Sequence, residues 1–139
     1  MMNSVIVTRE MLVADRACDP AMEAFDEALE AFDEAFPNGS ATLQQIVEHP
    51  LCDPHWLGWL AVNASFVTED IAMALIHLSA NPGNYYGAAA ARAHWVTSET
   101  GPAMIEKSSD PRYFSMFAIR YAKWMTPKIK AELIAKYGD

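Results

Sequence analysis

Apolar and polar positions from Asp53 to Asp139 fall into a pattern written three times. Each copy opens on a capping residue and a proline: Asp53-Pro54, Asn81-Pro82 and Asp110-Pro111. Aromatics follow at Trp56 and Trp59, at Tyr85 and Tyr86, and at Tyr113 and Phe114, and then a small residue at Gly58, Gly87 and Ser115. An alanine comes three positions later (Ala61, Ala90, Ala118), and a polar residue two beyond that (Asn63, Arg92, Arg120). Phe66, Trp95 and Trp124 close the first half of each copy. A turn led by Thr or Ser, near Thr68, Ser98 and Thr126, precedes a second apolar helix pattern over 71–78, 103–105 and 129–134. The period is about 29 residues, within the range of helical-hairpin repeats. A lone hairpin cannot bury its apolar face, whereas stacked hairpins can. The pattern predicts about three helical hairpins in a short α-solenoid-like stack, with Trp56, Trp95 and Trp124 largely buried.

Upstream, Val5 to Val7 reads as a short strand or extended arm, and Thr8 can cap a short helix over 9–15 with Met11 and Leu12 facing inward. Asp19-Pro20 marks a helix start, because Asp accepts orphan N–H groups and Pro suits the first helical position. The helix from Pro20 to Phe36 carries a near-duplicated heptad, Glu23 to Leu29 and Glu30 to Phe36. Phe25, Leu29, Phe32 and Phe36 form one apolar stripe, expected to pack on the repeats. Pro37-Asn38-Gly39 ends it, and Ser40 is expected to cap a further helix over 41–48 with Leu43, Ile46 and Val47 inward. Six of the eight prolines (Pro20, Pro54, Pro82, Pro102, Pro111 and Pro127) sit just after a cap and punctuate a series of short helices. The fold expected is all-α, one domain over 1–139: N-terminal helices in 1–50, then three hairpins in 51–139.

Composition narrows the class. An apolar content of 52% argues against wholesale disorder. At 139 residues the chain can bury a real core without disulfides. No apolar run reaches the length of a membrane span, about 18 residues. Met1 to Thr8 lacks the basic start of a secretory signal, and two cysteines are too few for a disulfide framework, so a reduced, cytoplasmic protein is expected. The net charge of −8 is unevenly spread. Residues 17–91 hold 11 Asp and Glu and no Lys or Arg, whereas 92–139 hold 8 Lys and Arg against 5 acids. Such asymmetry points to an interaction surface. An acidic face repels phosphate and attracts basic proteins.

Candidate chemistry is sparse. His49, Cys52 and His55 have ligand types suited to zinc, with Cys18 or Asp53 as a fourth, but Pro50 and Pro54 interrupt the segment and no standard zinc module has this spacing. Glu23, Glu27, Glu30 and Glu34 line one helix face without the His partners of a two-metal site. Cys18 or Cys52 could pair with His49, His55, His77 or His94 as a nucleophile, yet nothing supplies an oxyanion motif or an orienting partner. There is no GxGxxG, P-loop or HExxH. Arg92, Arg120, Lys123 and further lysines are interleaved with Tyr85, Tyr86, Trp95, Tyr113 and Trp124, the composition of a nucleic-acid groove. Those aromatics fall at core spacing and the local charge excess is small, so direct nucleic-acid binding is not expected.

The sequence Ala17-Cys18-x-x-Ala21-x-x-x-Phe25, then Phe36-Pro37-x-Gly39, then Asp53-x-x-Trp56-Leu57-x-Trp59-Leu60 resembles a recurrent N-terminal module of small helical proteins of tailed phages and prophages. The resemblance covers roughly residues 11–60, and the duplicated heptad departs from it by lengthening the first helix. It implies a small accessory phage-type protein; many such proteins bind host machinery, anti-CRISPR inhibitors among them, and no catalytic residue carries over. Taken together, these features lead us to expect a non-enzymatic protein-binding module needing no cofactor or metal. Its partner is expected to be a basic, nucleic-acid-handling host protein met by Glu23, Asp26, Glu27, Glu30, Asp33 and Glu34. The alternatives are a nucleic-acid surface using Arg92, Arg120 and Lys123, and a metal or enzymatic site at His49, Cys52 and His55.

Overall fold

The computed structural model describes residues 2–15 and 22–138, with the side chains of Asn3, Asp15 and residues 22–25 outside that description. The helix start expected at Asp19-Pro20, the Cys18 thiol, and the side chains of Glu23 and Phe25 therefore lie outside the described residues. Among those described are nine α-helices and one two-stranded sheet. The chain is mostly helical, in line with the all-α expectation.

The small sheet was not foreseen in full. β1 (Ile6–Thr8) pairs antiparallel with β2 (Ser40–Thr42), placing Val7 opposite Ala41. The expected Ser40 cap and helix over 41–48 are corrected: 40–42 is extended, and α3 (Leu43–Glu48) begins only after Thr42. Two local causes favour this outcome. Gly39 adopts a positive φ of 79°, which glycine allows without a Cβ clash, and its carbonyl accepts the Arg9 N–H. Thr42 and Gln45 then form a reciprocal capping box that stops the helix from starting earlier. Val7 and Ala41 are buried by the pairing. Thr8 caps α1 (Arg9–Asp15) through Oγ1 to the Met11 N–H, as expected.

α2 (Met22–Ala35) stops one residue short of Phe36 and packs chiefly on α1, where Arg9 pairs with Asp33 at 3.0 Å. Its apolar stripe only partly meets the expectation: Phe32 is buried, while Leu29 and Phe36 remain partly open toward α4 (Pro54–Asn63).

Beyond Asp53 the helices come in pairs. α4 packs on α5 (Glu69–Leu78) and on α6 (Pro82–Arg92). α6 packs on α7 (Thr100–Lys107) and on α8 (Pro111–Tyr121), and α8 on α9 (Pro127–Tyr137). The capping residues act as the sequence suggests. Asp53, Asn81 and Asp110 accept backbone N–H groups at the starts of α4, α6 and α8, and proline occupies the first helical position of each. The α7 turn is led by Thr97 rather than Ser98: Thr97 Oγ1 accepts from the Glu99 and Thr100 N–H groups. Pro102 consequently lies inside the first turn of α7.

The third copy of the sequence pattern needs a one-residue correction. The cap N–H of Ala64 bonds Leu60, that of Ala93 bonds Ala89, and that of Ala122 bonds Ala118. Counted from these caps, Ala118 holds the place of Ala89 rather than of Ala90. By the same count Met116, not Ser115, stands six residues before its cap as Gly58 and Gly87 do, and Tyr121, not Arg120, stands one residue before it as Arg92 does. Trp95 is buried as expected, but Trp56 and Trp124 are only partly so.

Candidate functional site

Two clefts carry the residues singled out in the sequence. The first, about 420 Å³, lies between α2 and α4. Leu29, Phe32 and Phe36 form one wall; Trp56, Trp59 and Leu60 form the other. The α2 side is set by the heptad, which places Leu29, Phe32 and Phe36 at i, i+3 and i+7 and alanines 28, 31 and 35 beside them. On the α4 side, Asp53 and Pro54 fix the helix start and so the direction of Trp56 and Trp59.

The mouth of this cleft is acidic. Glu27 and Asp53 are both exposed and both line it. Glu30 and Glu34 are exposed further round α2. Asp26 is exposed as well, and Asp33 is already held by Arg9, so the six acids are not equivalent. The Glu23 side chain lies outside the described residues.

His49, Cys52 and His55 also line this cleft, but each is engaged separately. His49 Nδ1 accepts the Leu51 N–H at 3.1 Å, and its ring meets Phe36 edge-on. His55 Nδ1 lies 3.3 Å from the Tyr85 hydroxyl, which donates to the His55 carbonyl at 3.1 Å. Among the described residues no three His, Cys, Asp or Glu side chains gather as a metal site requires. Burial, and secondarily the Asp53 charge, push the Cys52 thiol above its ordinary pKa. That disfavours thiolate, the reactive form. The same two causes raise Tyr85.

The second cleft, about 460 Å³, lies where α6 and α8 end. Arg92, His94, Phe117, Tyr121, Lys123 and Trp124 line it. Arg92 and Lys123 are therefore brought together, whereas Arg120 is exposed on α8 and does not line it. His94 Nε2 lies 3.2 Å from the Ala64 carbonyl, and Trp124 Nε1 donates to Ala90 O at 2.7 Å, so both rings are fixed.

Sequence reasoning missed the rings of α8. Phe114 and Ala118 are buried, while Tyr113, Phe117 and Tyr121 form a second stripe one residue out of phase. Tyr113 is 55% exposed and Tyr121 is 58% exposed. Tyr113 lies near-parallel to Phe117 with centroids 6.2 Å apart, and Phe117 to Tyr121 is 4.9 Å. The signal was the i, i+4, i+8 spacing beside the buried stripe. No protein family, curated protein or solved structure matches the chain. No helix among the described residues is long and apolar enough to cross a membrane.

Proposed function

We propose that the protein is a non-enzymatic protein-binding module of the phage accessory type, acting in the cytoplasm on a basic, nucleic-acid-handling host protein, as anti-CRISPR inhibitors do. One observation carries this reading: an apolar cleft and an acidic rim meet at α2. The rim residues Glu27 and Asp53 are exposed, with Glu30 and Glu34 nearby on the same helix. The cleft walls offer aromatic and aliphatic surface for an apolar anchor. A basic partner carrying such an anchor satisfies both, since buried apolar anchors supply most interface energy and charge complementarity supplies the on-rate. No Lys or Arg between 17 and 91 opposes it.

In the same reading, α4 to α9 are three copies of one helical hairpin stacked as a short solenoid that supports the α2 face. Two indole bonds, Trp95 to Ala61 and Trp124 to Ala90, recur at the same register and support this. So does the pairing of Gly58 with Tyr85 and of Gly87 with Phe114.

The test is affinity capture from the native host, then association kinetics with the captured protein at low salt. Charge reversal at Glu23, Glu27, Glu30 and Glu34 is expected to slow association at least tenfold with unchanged circular dichroism. An unchanged on-rate would end the acidic-face reading.

A further inference from the structure

The aromatics interleaved with the basic residues do not all belong to the core. Tyr86, Trp95 and Phe114 are indeed buried, but Tyr113 and Tyr121 are more than half exposed. With Phe117 they make a row of three rings along α8. A buried core does not use this row, because Phe114 and Ala118 already face inward. Exposed large hydrophobics on one helix face are costly to leave without purpose.

Cations surround the row. Arg92 and Lys123 line the same cleft as Phe117 and Tyr121. Arg120 follows Phe117 by three residues, which places it on the adjoining strip of the helix. All three are exposed, and among the described residues none of them is in an ion pair. Lys136 is different, as it reaches Glu106. Unpaired cations beside solvent-facing rings are the two parts of a single-strand platform: phosphates meet the cations and bases stack on the rings.

We propose that Tyr113, Phe117 and Tyr121, with Arg92, Arg120 and Lys123, form a binding surface for single-stranded nucleic acid. The occupant follows from charge. A second copy docking symmetrically here would bring three cations against three, whereas a polyanion with flat rings satisfies both features. A duplex hides its base faces and leaves the rings unused. This inference is independent of the α2 reading, since it uses none of the same residues.

The experiment is fluorescence anisotropy of a labelled 20-nucleotide oligo(dT) titrated with the full chain at 50 and 200 mM salt. The full chain is expected to bind, and more weakly at the higher salt. Tyr113→Ala with Tyr121→Ala, both at exposed positions, should weaken binding about tenfold or more while circular dichroism is unchanged. Arg120→Glu with Lys123→Glu should weaken it and flatten the salt dependence. Four outcomes overturn the proposal. One is no binding at 100 μM protein in low salt. Another is full retention in the double tyrosine variant, or equal affinity for a duplex of the same length. The last is sedimentation showing self-association lost in the tyrosine variant without oligonucleotide binding, which assigns the face to a second copy.

Discussion

The indole N–H of Trp95 donates to the carbonyl of Ala61, 34 residues earlier, at 2.7 Å. Ala61 lies in the last turn of α4, where the final carbonyls have no helical partner. Trp124 does the same for Ala90 near the end of α6, also at 2.7 Å. Each indole therefore caps the end of the preceding helix pair from the next one. This ties packing and backbone satisfaction to a single side chain.

Trp95→Phe keeps most of the apolar volume and removes the donor. The orphaned, buried carbonyl should cost about 1–3 kcal/mol. Urea unfolding followed by circular dichroism checks this. Trp124→Phe should cost less, because Trp124 is partly exposed and water can replace the lost bond. Equal costs at the two positions would mean that solvent access does not decide the penalty.

Gly87→Ala should destabilise by about 1–3 kcal/mol, the usual range for overpacking. A Cβ at Gly87 would fall inside the Phe114 ring, close to its root, where the ring cannot swing away cheaply. Gly58 stands in the same relation to Tyr85. Met116, 29 residues after Gly87, is 46% exposed, and Met116→Ala should change stability by no more than about 0.5 kcal/mol. Combining Gly87→Ala with Phe114→Leu should recover part of the loss, a coupling that a double-mutant cycle measures directly.

These glycines mark what was legible in the sequence. Helix starts were readable wherever Asp, Asn or Thr precedes proline, because cap chemistry is local. The stripe of α2 was readable as a stripe, but not what it faces, because Phe32 and Leu29 look alike until α1 is placed. The strand at 40–42 was not legible because three residues carry no period, and its pairing partner lies across the chain at Val7. The third stretch of the sequence pattern is offset by one residue from the helix ends because Ser115 looks like the small residue that Gly87 supplies. Met116 is exposed, and no ring presses on it as Phe114 presses on Gly87.

Cys52 should react slowly with a disulfide reagent at pH 8, several-fold below a small-molecule thiol. Burial and the neighbouring Asp53 hold its thiol protonated. Cys18→Ser gives a background in which Cys52 alone reports, and urea should restore an ordinary rate. Asp53→Asn retains a good helix cap and removes the lesser of the two causes, so it should raise the folded rate only modestly. A fast folded rate insensitive to urea would contradict the half-buried thiol.

Alkali should weaken the fold, and Tyr85 is a place to see why. Burial first, and Asp53 second, raise its hydroxyl above the ordinary 10.0, and burial alone raises Tyr86. The folded chain then keeps protons that the unfolded chain has released. Stability from such groups is complete below the unfolded pKa and is lost as pH rises through the folded value. The loss should begin near pH 9, where an unfolded Cys52 ionises, and steepen above 10 as the tyrosines follow. Tyr85→Phe cannot ionise. It also loses the hydrogen bond to the His55 carbonyl, which should cost about 0.5–1.5 kcal/mol at neutral pH. Measured between pH 8 and 10.5, the urea midpoint of Tyr85→Phe should therefore start lower than that of the parent chain but fall less. Parallel curves would show that Tyr85 keeps an ordinary pKa, and that burial beside α4 does not reach its hydroxyl.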